Sequence, residues 1–502
     1  MRIIAFAVLL LLIAAPTGAA DIDAVVEDVL ALENTPGAAV AIVRPGAAPF
    51  ARGYGVRRVG RGGKVDARTL FGLASATKAF TALSVAILAE EDALSLDDPV
   101  RAHLPAFSVA DPYVSEHATI RDLLAHRTGT IKGDIVWFAN PRASDASLVA
   151  LFAGLPQETS FREGFSYSNL MYAAAGEIIR VQSGETWRAF VEERILRPLG
   201  MADTLADRGA ARAARNIAAL HAFDGSSIYA FDISMLPDNT APAGGIYSSA
   251  ADMAKWLQFW IDLSAGEETT PALEAASYRE LTRFQSIVAD RSPIDDFMHD
   301  ADAPYGYGLG WFVGEYRGRK VLTHMGGGEG AAALVSWMPS EKVGVAVLMN
   351  AEGALGRIAI RNAAFDEALG VVDTDWTASF GALLGEYRAY LRAQAQDWEE
   401  KQRAEPASRT PLASFVGAYR HETFGKISVE VKNGGLRATL GGARTYALKR
   451  WAGDSFAVMI DNPAFSWPAP ALLRFKSAAD GAVTGVAFEA AGQSADYGRT
   501  DE

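Results

Sequence analysis

The run "VLTHMGGGEG" (321–330), continued by "AAALVSWMP" (331–339), decides how the chain folds. Three glycines behind an apolar segment suggest a phosphate loop. Such a loop opens into a helix and carries Lys and Ser/Thr after its glycines, whereas here a strand pattern follows, which argues against a P-loop. A lipase-type oxyanion loop lies upstream of a G-x-S-x-G serine, and this sequence has no such motif. The seven histidines show no metal-ligand spacing, so no zinc site is expected. Two readings are left: a strand edge whose backbone donors and His324 face a cleft, or a plain hairpin turn.

Working outward, "YGLGWFVGEY" (307–316), "KVLTHM" (320–325) and "VGVAVLMN" (343–350) are strand patterns, as are "PGAAVAIVRPG" (36–46) and "FARGYGV" (50–56) near the start. Between them lie helical periods. "SATKAFTALSVAILAEED" runs from Ser75. "TIRDLLAHRTG" (119–129) has Thr119 as N-cap, Asp122 in a capping box and Gly129 as a stop. Further helices fall in 168–183, 186–197 and, behind a serine cap, 248–263. The order strands, helices, strands predicts one antiparallel sheet of early and late strands with helices packed over it. From 373 to 410 a long amphipathic helix is followed by the polar linker "AEPASRTP". From 411 to 502 short alternating runs with Gly/Asn turns predict a small antiparallel β-barrel or sandwich.

The 502 residues suffice for two or three domains. The net charge of −13, with no dense Lys/Arg cluster, argues against a nucleic-acid partner. Residues 1–20, "MRIIAFAVLLLLIAAPTGAA", read as a signal peptide, with Arg2 ahead of an apolar stretch and small residues before a cut at Asp21. The apolar stretch is too short for a membrane span, so a periplasmic or secreted protein without a stable membrane anchor is expected. With no cysteine, the sequence excludes disulfides, a thiol nucleophile and Cys-ligated metal.

Three segments can carry chemistry. Ser75 and Lys78 lie one turn apart at a helix start, where the lysine charge and the helix N-terminus favour a developing alkoxide, although Ser-x-x-Lys is short enough to arise by chance. In "FSYSNLMYAAAGEII" (165–179), Tyr167 beside Lys78 could take a serine proton and Asn169 could bind an amide. The plainer reading makes Ser168 or Asn169 a helix cap. The third segment is the strand with His324, Gly326 and Gly327.

Together, Ser75-x-x-Lys78, Tyr167-x-Asn169 and His324-x-Gly326 resemble the serine hydrolases of the class C β-lactamase and penicillin-binding-protein family. "LFGLASATKAFTALSVAILAEEDALSLDDPVRAHLP", "TIRDLLAHRTG", "ILRPLGMADT", "PAGGIYSSAADMAKWLQ" and "YGLGWFV" look like family segments in the family's order, over roughly residues 25 to 370. The resemblance implies an α/β (α+β) fold, an all-helical lobe against an antiparallel sheet, in a domain taken as 21–372. It implies Ser75 as acyl-enzyme nucleophile, Lys78 and Tyr167 as its proton shuttle and Asn169 as amide holder. His324 and Gly326 would form the third motif, and the N–H groups of Ser75 and Gly327 the oxyanion hole. No metal or organic cofactor is implied, and the partner is a small-molecule or short peptide substrate.

One departure stands out. The β-lactamases carry lysine where this chain has His324, a weaker carboxylate anchor. The His-x-Gly form is similar to that of the family's esterases and D-amino-acid peptidases, so peptide or ester hydrolysis is expected ahead of efficient β-lactam hydrolysis. The alternative is a regulatory protein of the same fold that binds peptidoglycan-like ligands without turnover. Glu329 is a candidate for a substrate amine or, more simply, a solvated turn residue. "FVGAYRHETFGKISVEVKNGGL" (415–436) resembles the lipocalin-like β domains appended to some family members.

Overall fold

The computed structural model describes residues 21–132, 136, 140, 143–223, 227–231, 238–328, 330–404, 408, 410–442, 444–459, 471–490 and 493–500. Residues 1–20, read from the sequence as a signal peptide, and Glu329 lie outside them.

Nine strands form one antiparallel sheet: β1 (Gly37–Val43), β2 (Phe50–Arg58), β3 (Gly62–Lys64), β4 (Ser286–Ile287), β5 (Gly306–Tyr307), β6 (Phe312–Tyr316), β7 (Arg319–Gly328), β8 (Ala331–Met338) and β9 (Val343–Met349). They lie in the order β3-β2-β1-β9-β8-β7-β6-β5-β4, so the early strands join the late ones through the β1–β9 pairing. β1, β8 and β9 are buried throughout, and this explains why they read as unbroken apolar runs: a strand covered on both faces has no solvent side to make polar.

The two faces separate by the period of two. Ala39, Ala41 and Val43 point into the core shared with α2 (Lys78–Glu90), α4 (Asn169–Ser183) and α5 (Ala250–Ser264). Ala38, Val40 and Ile42 point to the opposite core, built by α1 (Ile22–Glu33), α6 (Gly356–Leu369) and α7 (Trp376–Ala404). Close approach fixes the layers. A Cβ on Gly344 of β9 would stand 3.0 Å from Leu257 of α5.

The short helix α3 (Ile120–Leu124) opens with the expected capping box, Thr119 and Asp122 satisfying each other's backbone. It ends five residues before Gly129. His126 takes a left-handed turn (φ 56°), and Gly129 (φ 75°) lies three residues further on. The carboxylate of Asp122 is buried, which raises its pKa, yet bonds from Arg162, Thr119 and Arg127 hold it below the usual range. That knot fixes the loop leaving α3.

Eight further strands from Gly417 to Thr500 close into an antiparallel barrel, the first pairing the last (Ala418 with Thr500), so it has no open edge. α7 leads to it. Gln402 donates to the carbonyl of Trp451 at 2.7 Å, and Trp398 meets Trp451 edge-on. The barrel turn at Thr423 also touches the helical lobe, its carbonyl accepting from Asn140 at 3.2 Å.

Candidate active site

Ser75 lies in a single 3₁₀ turn (Ala74–Thr77) that runs into α2 at Lys78, so the α-helix proper begins after the serine. Ala74 holds a left-handed φ of 46°, a conformation that costs a non-glycine residue on the order of 1 kcal/mol. The turn carries Ser75 out of the apolar run to a half-buried position, while the Lys78 side chain is wholly buried beneath it.

Nζ of Lys78 donates to Oδ1 of Asn169 at 2.6 Å and to the carbonyl of Ala243 at 2.9 Å, and lies 3.1 Å from Oγ of Ser75. An ammonium stripped of water without partners would cost several kcal/mol, and these acceptors offset that penalty. Two of them are carbonyl oxygens that only accept. The Ser75 direction therefore carries either a further N–H or the amine lone pair, and a proton can move along that line in either sense. The ring of Tyr167 lies beside the same cation, its centroid 4.8 Å from Nζ.

Asn169 and Tyr167 stand at the start of α4, and both are half-buried. Ser168 precedes the helix but makes no side-chain cap. Its hydroxyl reaches instead to the carbonyl of Ile131, and Asn169 turns to Lys78. The simple capping reading of this segment does not hold.

The glycine strand closes the other side. β6 pairs with β7 only as far as Thr323, so residues 324–328 have β8 on one side and, among the described residues, no strand on the other. Into that gap comes the Ser75 turn. A Cβ on Gly326 would lie 1.9 Å from the carbonyl oxygen of Leu73 and 3.1 Å from the Ser75 nitrogen, so no side chain fits there. Gly327 is exposed, and the first atom a Cβ would meet is a guanidinium nitrogen of Arg357, 4.0 Å away.

His324 faces inward. Its Nδ1 lies 2.7 Å from the carbonyl of Met325 and must carry the hydrogen, so Nε2 accepts from the hydroxyl of Tyr307 at 3.0 Å. Burial first, then the Lys78 charge, pushes its pKa down to about 3, so the ring is neutral at pH 7. With 1% of its surface exposed it offers a substrate no charge and no open face.

Sequence reasoning passed over three neighbours. Ala243 contributes a carbonyl, which no side-chain pattern can reveal. Tyr307 sits within "YGLGWFV" and reads there as an ordinary strand aromatic. Arg357 lies in the buried segment "GRIAIRNAAF" of α6, and a buried arginine on an apolar helix is a signal that a reader could have used. Its pKa is lowered to about 10 by burial, partly opposed by Glu33 and Glu352, and it donates to the carbonyl of Ala354. Among the described residues no group of three or more His, Asp or Glu could hold a metal ion, and no helix is long and apolar enough to cross a membrane.

The chain is similar to known proteins in sequence and in fold. A family model described as Beta-lactamase matches residues 22–368, and one described as a domain of unknown function (DUF3471) matches 401–500. The chain is 28% identical over 454 residues to unguisins hydrolase ungD of Aspergillus violaceofuscus, covering 84% of this chain and 78% of that protein. It is 29% identical over 397 residues to penicillin-binding protein 4 of Amycolatopsis lactamdurans, covering 78% and 94%. Its fold is similar to that of the octameric penicillin-binding protein homologue from Pyrococcus abyssi, with a TM-score of 0.61 at 21% identity over 95% of this chain and 99% of that one.

Proposed function

Since the chain belongs to the beta-lactamase family, with a C-terminal DUF3471 domain, we propose that it is an exported serine hydrolase. It forms an acyl-enzyme on Ser75 and cleaves a peptide, including one with D-amino acids, an ester or a β-lactam-like substrate, with peptides and esters preferred. The observation that carries this reading is the lysine bridge, Lys78 Nζ at 3.1 Å from Ser75 Oγ and 2.6 Å from Asn169 Oδ1, which joins segments 91 residues apart.

In this mechanism Oγ of Ser75 bonds to the substrate carbonyl carbon while its single proton passes by way of Lys78 to Tyr167, which takes it as the phenolate beside that cation. The carbonyl oxygen becomes an oxyanion between the N–H groups of Ser75 and Gly327, each such donor contributing about 10²–10³ in rate. Tyr167 returns the proton to the leaving amine or alcohol as the carbon–heteroatom bond breaks. Water then attacks the acyl ester by the reverse route. Asn169 holds the substrate amide. His324 acts from behind the strand and not by contact, and the guanidinium of the buried Arg357, beneath the exposed Gly327, is the cation we assign to a substrate carboxylate. Delivery to the periplasm or medium rests on residues 1–20.

Labelling with a fluorescent fluorophosphonate or penicillin tests the nucleophile: wild type should label and Ser75→Ala should not. Equal labelling of both would remove Ser75. A labelled protein that turns over none of a panel of D-amino-acid amides, short esters and nitrocefin would favour the binding protein without turnover.

A further inference from the structure

We infer that His126 is the positioning residue of Tyr167, holding the phenol against Lys78 by gripping the chain on both sides of it. This rests on the assignment of Tyr167 to the proton shuttle, and it adds to that site a residue from the loop leaving α3.

The grip is made twice. The carbonyl oxygen of His126 accepts the N–H of Ser166 at 2.8 Å, and its Nδ1 accepts the N–H of Ser168 at 3.1 Å. Those are the residues before and after Tyr167. The imidazole itself packs on the Tyr167 ring, centroids 4.3 Å apart and planes tilted by 36°. Phe165, Tyr172 and Tyr307 close round the remaining faces at 5.5, 5.1 and 4.9 Å. The left-handed φ of 56° at His126 allows its backbone and its side chain to reach the same tripeptide.

An ordinary buried histidine satisfies both ring nitrogens, and this one does not. A backbone N–H only donates, so Nδ1 presents its lone pair to Ser168 and the neutral ring carries its hydrogen on Nε2. Nε2 is buried and has no hydrogen-bond partner among the described residues, leaving its N–H to the surrounding rings. The ring is oriented for Ser168 at the expense of its other nitrogen. Neighbouring contacts reinforce the cradle: the Ser166 hydroxyl donates to the carbonyl of Thr130 at 3.0 Å.

His126→Asn and His126→Phe separate the acceptor from the ring. Asparagine can place Oδ1 near the position of Nδ1 and tolerates a left-handed φ. Phenylalanine keeps an aromatic and loses the acceptor. Each is made in wild type and in Tyr167→Phe, and the rate of Ser75 labelling by a fluorophosphonate and the kcat and KM for p-nitrophenyl acetate are measured. His126→Asn should stay within about 3-fold of wild type, and His126→Phe should lose at least 30-fold in kcat with little change in KM. In the Tyr167→Phe background the His126→Phe loss should vanish, because a residue acting only through the phenol has nothing left to position. Losses that multiply in the double variant, or an Asn variant as slow as Phe, would overturn the proposal. Should the Phe variant not fold, His126→Ala replaces it in the same cycle. If Tyr167→Phe alone retains wild-type rates, the shuttle assignment itself fails, a result distinct from the other two.

Discussion

Tyr307 donates its hydroxyl hydrogen to Nε2 of His324 at 3.0 Å and so occupies the last free lone pair of a fully buried imidazole. The third-motif histidine is thereby tied to the strand layer behind the site. A lysine there would find no use for the Tyr307 donor and would stand close to the charge of Lys78. His324→Lys should therefore lower stability by about 3 kcal/mol without favouring carboxylate-bearing substrates. Urea midpoints and kcat/KM for a matched pair of esters, one with a free carboxylate, check this. A gain for the acidic ester at unchanged stability would show that the side chain at 324 reaches substrate.

If Arg357 supplies the cation instead, Arg357→Met should raise KM for the carboxylate ester about 10-fold, the worth of one charged hydrogen bond, and leave the neutral ester alone. Equal effects on both esters would mean that the guanidinium only supports α6.

The two motif glycines should behave differently when given a methyl group. Gly326→Ala drives a Cβ against the Leu73 carbonyl and should lower acylation by at least about 100-fold, the scale of one lost oxyanion donor. Gly327→Ala meets nothing closer than 4.0 Å and should fold with wild-type stability. The comparison needs only labelling rates and thermal midpoints, and a fully active Gly326→Ala would contradict the close approach of β7 to Ser75.

Much of this was legible in the sequence, and the limit has a physical cause. Strand and helix periods are local, so the sheet, α2, α4, α5 and the barrel could be read from them, and the Thr119–Asp122 box could be read from four residues. Ser75 and Lys78 share one turn and could be paired on spacing. The bonds from Lys78 to Ala243, from His126 to Ser168 and from Tyr307 to His324 join residues whose proximity is set by packing, which no periodicity encodes. The end of α3 differs from the sequence expectation for a related reason. Gly129 looks like the stop, but His126 leaves the helix earlier, where its backbone and ring find partners at 166 and 168.

Acid should weaken the fold well before most carboxylates titrate. Burial holds His126 and His299 well below the usual 6.5 and His324 at about 3, so below pH 6.5 the unfolded chain binds protons that the folded one refuses. Stability then rises with pH across that window and falls as pH drops, by up to about 1.4 kcal/mol per pH unit for each such ring. Glu33, raised by burial to about 7, works in the opposite sense, but one carboxyl opposes these three imidazoles and those of His221 and His421, which burial also lowers. Urea midpoints at pH 7, 6 and 5 should decline in that order. A flat series would mean that the rings protonate in place.

The pairing of β1 with β9 has a consequence in time. The ribosome delivers the first strand of the sheet long before the last, and β1, apolar on both faces, has no permanent neighbour on its inner side until β9 arrives. The glycine strand reaches the Ser75 turn only from beyond β8 and β9. An unfinished chain therefore carries its serine, lysine and tyrosine without the wall that completes the site. On the proposed mechanism the site closes only when the last three strands have joined the sheet.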